Sequence, residues 1–183
     1  MYETFEAALV EQCAPTLAGV KPANLFRFSG VGVRASAEAW DGLLRPLGVC
    51  VQVLKECGDA CMIYVYRPQW VERLLQESAN RRFLEKMGYV SGDTAAMLTQ
   101  LSDRLCLEAE YPHEIGVFLG YPLQDVIGFI ENRGWNYTCC GFWKSYSDPE
   151  EAEQCFERYR VCTARCTRLF YQGTPVTQLV AAA

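Results

Sequence analysis

The sequence predicts an α+β fold in one domain, residues 1–183: a small, mainly antiparallel sheet packed with several helices. Three observations predict it. The chain has 183 residues, 50% hydrophobic and 21% charged, which is enough to bury one core without cross-links and short for two full domains. Two runs of β-branched and aromatic residues flank a short Gly58-Asp59 turn, the pattern of an antiparallel hairpin over 49–67. Most of the remaining chain repeats its apolar residues at helical spacing between Gly and Pro breakers.

In chain order, Phe5, Leu9, Cys13 and Leu17 fall at helical spacing over 2–18, and Gly19 is the stop. Residues 21–28 read as irregular or briefly extended. Ser36 is placed to cap a short helix that ends near Leu44 to Pro46. The hairpin 49–67 follows. Pro68 opens a helix where its missing N–H costs nothing, and a second helical piece ends at Met87-Gly88-Tyr89. Asp93 or Ser91 caps a helix carrying Met97, Leu98, Leu101 and Leu105. Two short helices fall between Pro112 and Asn132, stopped by Gly134. Residues 135–145 read as a third strand. Asp148-Pro149 starts a long helix to about Leu169, and Gly173 precedes a short tail.

Composition excludes several classes. Hydrophobicity is too high for a disordered chain. The longest apolar run, Ile115 to Ile130, is interrupted by Pro122 and Asp125 and is too short to span a bilayer. A net charge of -5 supplies no general attraction to phosphate backbones, so a nucleic-acid partner is not expected. The first residues, Met1-Tyr-Glu-Thr-Phe-Glu, lack the basic and apolar regions of a signal peptide. A cytoplasmic location follows as the expectation, and with it ten reduced cysteines, mostly buried. Cys155, Cys162 and Cys166 fall on one helical face and are the nearest approach to a soft-metal set. There is no C-x-x-C pair, so the expectation is buried thiols and no metal.

Two motifs invite stronger readings. Gly30-Val-Gly32-Val-Arg-Ala35 matches the dinucleotide fingerprint, with Glu56 about 20 residues on as the acidic ribose ligand. The run before Gly30 is short and interrupted for a buried parallel strand, and the strand ending at Glu56 turns directly into the next. A plain Gly turn is the expectation. Residues 112–132 match a helix-turn-helix, with Leu119-Gly120 at the turn and Val126 facing inward. A recognition helix needs Arg, Lys, Asn or Gln for base edges and cations for phosphates. This one offers Gln124 and Asp125, and no Lys or Arg lies between Glu110 and Glu131. A helical pair packed into the domain is expected, with Ile115, Leu119, Val126 and Ile130 turned inward.

The same stretch, Tyr111-Pro-His-Glu-Ile-Gly-Val-Phe-Leu-Gly-Tyr-Pro-Leu-Gln-Asp-Val-Ile-Gly-Phe-Ile130, resembles the signature of domain-of-unknown-function family 3793, small proteins of anaerobic Gram-positive bacteria. Tyr64-Val-Tyr-Arg-Pro68, Gly141-Phe-Trp-Lys-Ser-Tyr146, Cys162-Thr163 and Gly173 support a full-length resemblance. The resemblance carries over no activity and no residue roles. The context it implies is iron or redox metabolism.

Five residues carry the most chemistry. His113 is the only histidine, and it is followed by Glu114 at a helix start; imidazole is the natural acid–base or ligand group near neutral pH. Arg67 follows Tyr64 and Tyr66, and Lys144 follows Trp143. If their strands are neighbours, Arg67, Lys144, His113, Glu114 and Tyr121 line one pocket for a small anionic ligand or cofactor. The function expected is an accessory small-molecule or cofactor-binding protein. The alternatives are an enzyme using His113 as acid/base, a helix-turn-helix regulator through 112–132, and a cysteine-based metal carrier.

Overall fold

The computed structural model describes residues 4–90, 92–107 and 110–181. Its class is α+β: a three-stranded antiparallel sheet, a separate two-stranded piece and helices around them. The chain divides into two compact units, Met1–Gln69 with Arg160–Ala183, and Trp70–Tyr159.

The first unit opens with helix α1, Phe5–Leu17. Thr4 caps it by accepting the Ala7 N–H at 3.1 Å, and Gly19 ends it in the left-handed region at φ +69°. Strand β1 is Ala23–Ser29, and α2 is Val33–Leu44. Strands β2, Cys50–Cys57, and β3, Ala60–Tyr66, form the expected hairpin. The strand order is β1-β3-β2, both pairs antiparallel. The third strand of the sheet is therefore β1 and not 135–145. Residues 23–29 pair along their whole length with β3, from Ala23 opposite Tyr66 to Ser29 opposite Ala60; their polar interruptions, Asn24 and Arg27, suit an edge strand.

Because β1 and β2 both run against β3, they are parallel to each other, and β1-α2-β2 is a split βαβ unit. The Gly30–Gly32 turn thus lies between a strand and a helix, but that strand is an antiparallel edge strand and not the buried parallel strand that a dinucleotide site needs. Gly32, at φ +72°, is the N-cap of α2, so that helix begins before Ser36. Glu56 pairs with Arg34 on the surface. Alternation decides which face of the sheet is buried. Cys61, Ile63 and Val65 of β3, Phe26 and Phe28 of β1, and Val51 and Val53 of β2 point to α1 and α2, forming one apolar core with Leu9, Cys13, Leu17, Ala37 and Leu44. Tyr64 and Tyr66 stack on the opposite face, ring centres 4.9 Å apart. Cys166, Val176 and Leu179 complete the core; the last two lie in a short helix, Val176–Leu179, where the sequence suggested only a tail.

The second unit holds helices α3 (Pro68–Gln76), α4 (Ser78–Lys86) and α5 (Thr94–Leu107). Asp93 caps α5, accepting the Ala96 N–H at 2.8 Å; Ser91, the other proposed cap, lies outside the described residues. Next come α6, a single turn Ile115–Phe118, and α7, Leu123–Glu131. Residues 135–145 hold two two-residue strands, β4 (Cys139–Cys140) and β5 (Lys144–Ser145), paired with each other. Helix α8 runs from Pro149 to Tyr171, and the chain re-enters the first unit within it. The apolar residues expected to face inward from α5 to α7 do so: Leu101, Leu105, Ile115, Leu119 and Val126 are buried, while Ile130 is half-buried.

Candidate functional site

Helix α6, α7 and β5 border a half-open cavity of about 170 Å³ in the second unit. Gly116 permits it: a Cβ there would lie 2.7 Å from Val126 Cγ2 and 3.2 Å from the Tyr121 ring, so the two helices approach this closely only over a bare backbone. Ile115, Val126, Phe129 and Trp143 supply apolar walls, and His113, Tyr121, Asp125 and Lys144 supply the polar groups.

These polar groups are graded by depth. His113 is exposed, its ring 4.8 Å from Phe129 and 5.6 Å from Tyr111. Lys144 is half-buried; its ammonium donates to the Gly134 carbonyl at 2.8 Å and sits over the Tyr137 ring at 4.9 Å and the Phe129 ring at 5.8 Å. Burial, with the neighbouring Tyr111 second, pushes the Tyr121 hydroxyl up to about 12. That hydroxyl stays protonated and donates to the Phe142 carbonyl at 3.2 Å. Asp125 is 2% exposed.

Asp125 organises the wall. Its Oδ1 accepts from Ser145 Oγ, the backbone N–H of Tyr146 and Ser147, and Ser147 Oγ, at 2.8–3.2 Å. Its Oδ2 accepts from Trp143 Nε1 at 2.7 Å. A buried carboxylate needs such donors to remain in place. Through them it ties α7 to residues 143–147 and fixes the Trp143 indole, which stacks on Tyr121 at 5.0 Å and meets Phe156 edge-on at 4.5 Å.

Of the five residues singled out from sequence, His113, Tyr121 and Lys144 line this cavity. Glu114 is buried on the other side of its backbone, accepting from Tyr89 at 3.1 Å and pairing with Arg104 at 3.4 Å. Arg67 belongs to the first unit and is 1% exposed. Its guanidinium donates to the carbonyls of Thr16 at 2.8 Å, Leu17 at 2.7 Å and Ala181 at 3.0 Å. It is a buried cation at the carbonyl end of α1 and does not line the cavity with His113, Tyr121 and Lys144. Sequence reasoning missed Asp125, Phe129 and Trp143 as lining residues. The available signal was a lone carboxylate inside Leu123-Gln-Asp-Val-Ile-Gly-Phe-Ile130, since a charge in an apolar stretch has a partner when buried.

The thiols are distributed otherwise than expected. Cys13, Cys50, Cys61 and Cys166 are buried; Cys139, Cys155 and Cys162 are half-buried; Cys57, Cys106 and Cys140 are exposed. Burial pushes the Cys13 thiol well up. Cys162 neighbours Cys166 and lies 3.7 Å from the Ala14 carbonyl, whereas Cys155 is engaged by Arg158 at 3.5 Å. Among the described residues no group of three His, Cys, Asp or Glu side chains is arranged to hold a metal, and no helix is long and apolar enough to cross a membrane.

The family described as protein of unknown function (DUF3793) matches residues 9–180, and the chain belongs to it. Comparison with curated proteins and with solved structures finds no significant match.

Proposed function

We propose that this member of the DUF3793 family is a small-molecule-binding protein, and that the cavity between α6, α7 and β5 takes a small planar anion. One observation carries the reading. A largely apolar cavity of about 170 Å³ is lined by the exposed His113 and the half-buried Lys144. A sealed apolar cavity of about 150 Å³ holds one benzene ring, so the volume here is enough for a single ring. Phe129, Tyr121 and Trp143 offer ring faces and edges to a planar guest. The Lys144 ammonium makes one hydrogen bond, to Gly134, and has donors left for an anionic oxygen. The negative charge of Asp125 is already met by five donors, so the guest's anionic end belongs with Lys144 and His113. A regulator acting through 112–132 has less support: α7 turns Asp125 and Val126 inward and brings no cation. Reduced cytoplasm is the compartment that suits ten free thiols, three of them exposed.

The test uses benzoate as the probe. Titration followed by ¹H–¹⁵N NMR is expected to move the signals of residues 113–129 and 143–144, including the Trp143 indole N–H, with saturation in the millimolar range or below. Lys144→Met keeps the aliphatic stem and is expected to weaken benzoate about tenfold, the scale of one charge-assisted hydrogen bond. Shifts scattered over the chain, or affinity unchanged in Lys144→Met, would refute the reading.

A further inference from the structure

The two oxygens of Asp125 are unequally occupied. Oδ1 accepts four donors, Ser145 Oγ, Tyr146 N, Ser147 N and Ser147 Oγ, whereas Oδ2 accepts only Trp143 Nε1. An ionised carboxylate oxygen has about two lone-pair sites, so the four contacts on Oδ1 share its sites, while Oδ2 has one site beyond the Trp143 bond. The remaining acceptor capacity of this side chain, 2% exposed, is therefore on Oδ2, in a residue that lines the cavity. The same cavity presents donors, Lys144 and His113. The lining thus combines a buried carboxylate, the half-buried Lys144, the exposed His113 and the rings of Phe129 and Trp143.

We infer that the ligand is an aromatic or heteroaromatic acid carrying its own N–H donor, which hydrogen-bonds Asp125 Oδ2 while the acid group meets Lys144. This rests on the binding role proposed for the cavity and adds a rule of selection within it. A ring with an acid group but no donor leaves Oδ2 with its single partner and forgoes that bond. Sites that hydrogen-bond a buried substrate group discriminate against the analogue lacking it more strongly than apolar sites discriminate a methylene.

The protein itself stays unaltered in the test, because replacing Asp125 would disturb all five of its contacts. The probes are benzoate, the three aminobenzoate isomers and the three methylbenzoates, which match the aminobenzoates in size and charge and lack the N–H. At least one aminobenzoate is expected to bind about tenfold or more tightly than its methyl counterpart. It is also expected to move the Trp143 indole proton upfield, since a second donor on Oδ2 weakens the bond that Trp143 makes there; the methyl counterpart should not. If each methylbenzoate binds as well as its amino partner, the inference fails while the cavity remains a site for planar anions. If none of the seven probes moves the cavity signals, the inference and the binding role fall together.

Discussion

A single methyl group, added at two helical glycines, should move stability in opposite directions. Gly42 in α2 is exposed, and a Cβ there would have nothing within 4 Å. Gly42→Ala therefore gains only helix propensity, about 0.8–1 kcal/mol. Gly128 in α7 gains the same from propensity, but its Cβ would lie 2.5 Å from Tyr146 Cγ and 2.7 Å from Tyr146 Cβ. The Tyr146 Cβ is fixed by its backbone, so no rotamer change clears it. The backbone cannot yield freely either, because the Tyr146 N–H is held by Asp125 at 2.8 Å. Overpacking costs about 1–3 kcal/mol, and contacts of 2.5 and 2.7 Å put this site at the upper end of that range, so the net for Gly128→Ala is a loss of roughly 1–2 kcal/mol after the propensity gain. Urea unfolding followed by circular dichroism reads both: the midpoint of Gly42→Ala rises and that of Gly128→Ala falls, each by several tenths of a molar or more. A Gly128→Ala protein as stable as wild type would show that residues 143–147 do not press on α7, and with that the wall of the cavity would be wrong.

Arg67→Met keeps the bulk of a buried side chain but leaves the Thr16, Leu17 and Ala181 carbonyls without their cation; a loss of about 2–4 kcal/mol is expected by urea unfolding, and a loss within 0.5 kcal/mol would overturn that role. Burial pushes both Tyr66 and Tyr121 up to about 12, above the ordinary tyrosine value near 10. Their contribution is complete below about pH 10 and is lost as pH rises through 12, because the unfolded chain releases these protons first. The urea midpoint should therefore fall steadily from about pH 10 upward, and less steeply in Tyr121→Phe; a flat profile to pH 11.5 would contradict the burial of these rings.

The hairpin 49–67 and the helix starts at Pro68, Asp93 and Pro149 were readable because turn and cap chemistry is local. Strand β1 was not, since the polar Asn24 on the core-facing side and the apolar Leu25 on the other blur its alternation and only pairing with β3 reveals it. The opposite error occurred at 135–145, where Tyr137, Cys139 and Trp143 carry β-type side chains, yet Asn136 at φ +60° breaks the extended run. At the site, His113, Tyr121 and Lys144 were legible as chemistry-bearing residues in one chain region. Arg67 and Glu114 look equally reactive in one dimension. Their inward direction depends on α1 and on Tyr89 and Arg104, 10 to 51 residues away, and no local pattern encodes that.

The first unit is assembled from two separated stretches, Met1–Gln69 and Arg160–Ala183, with the second unit spelled out between them. During synthesis this order has a cost in time. The ribosome adds about 5–20 residues per second, so roughly 90 residues of intervening chain delay the arrival of Cys166, Val176 and Leu179 by about 5–20 s. Through that interval the nascent sheet and α1 wait with part of their apolar face uncovered. The middle segment, contiguous in sequence, is free to fold as it emerges. Translation thus builds the insert before its host is complete, and the host's half-made core is the stage of this chain's life most in need of a chaperone.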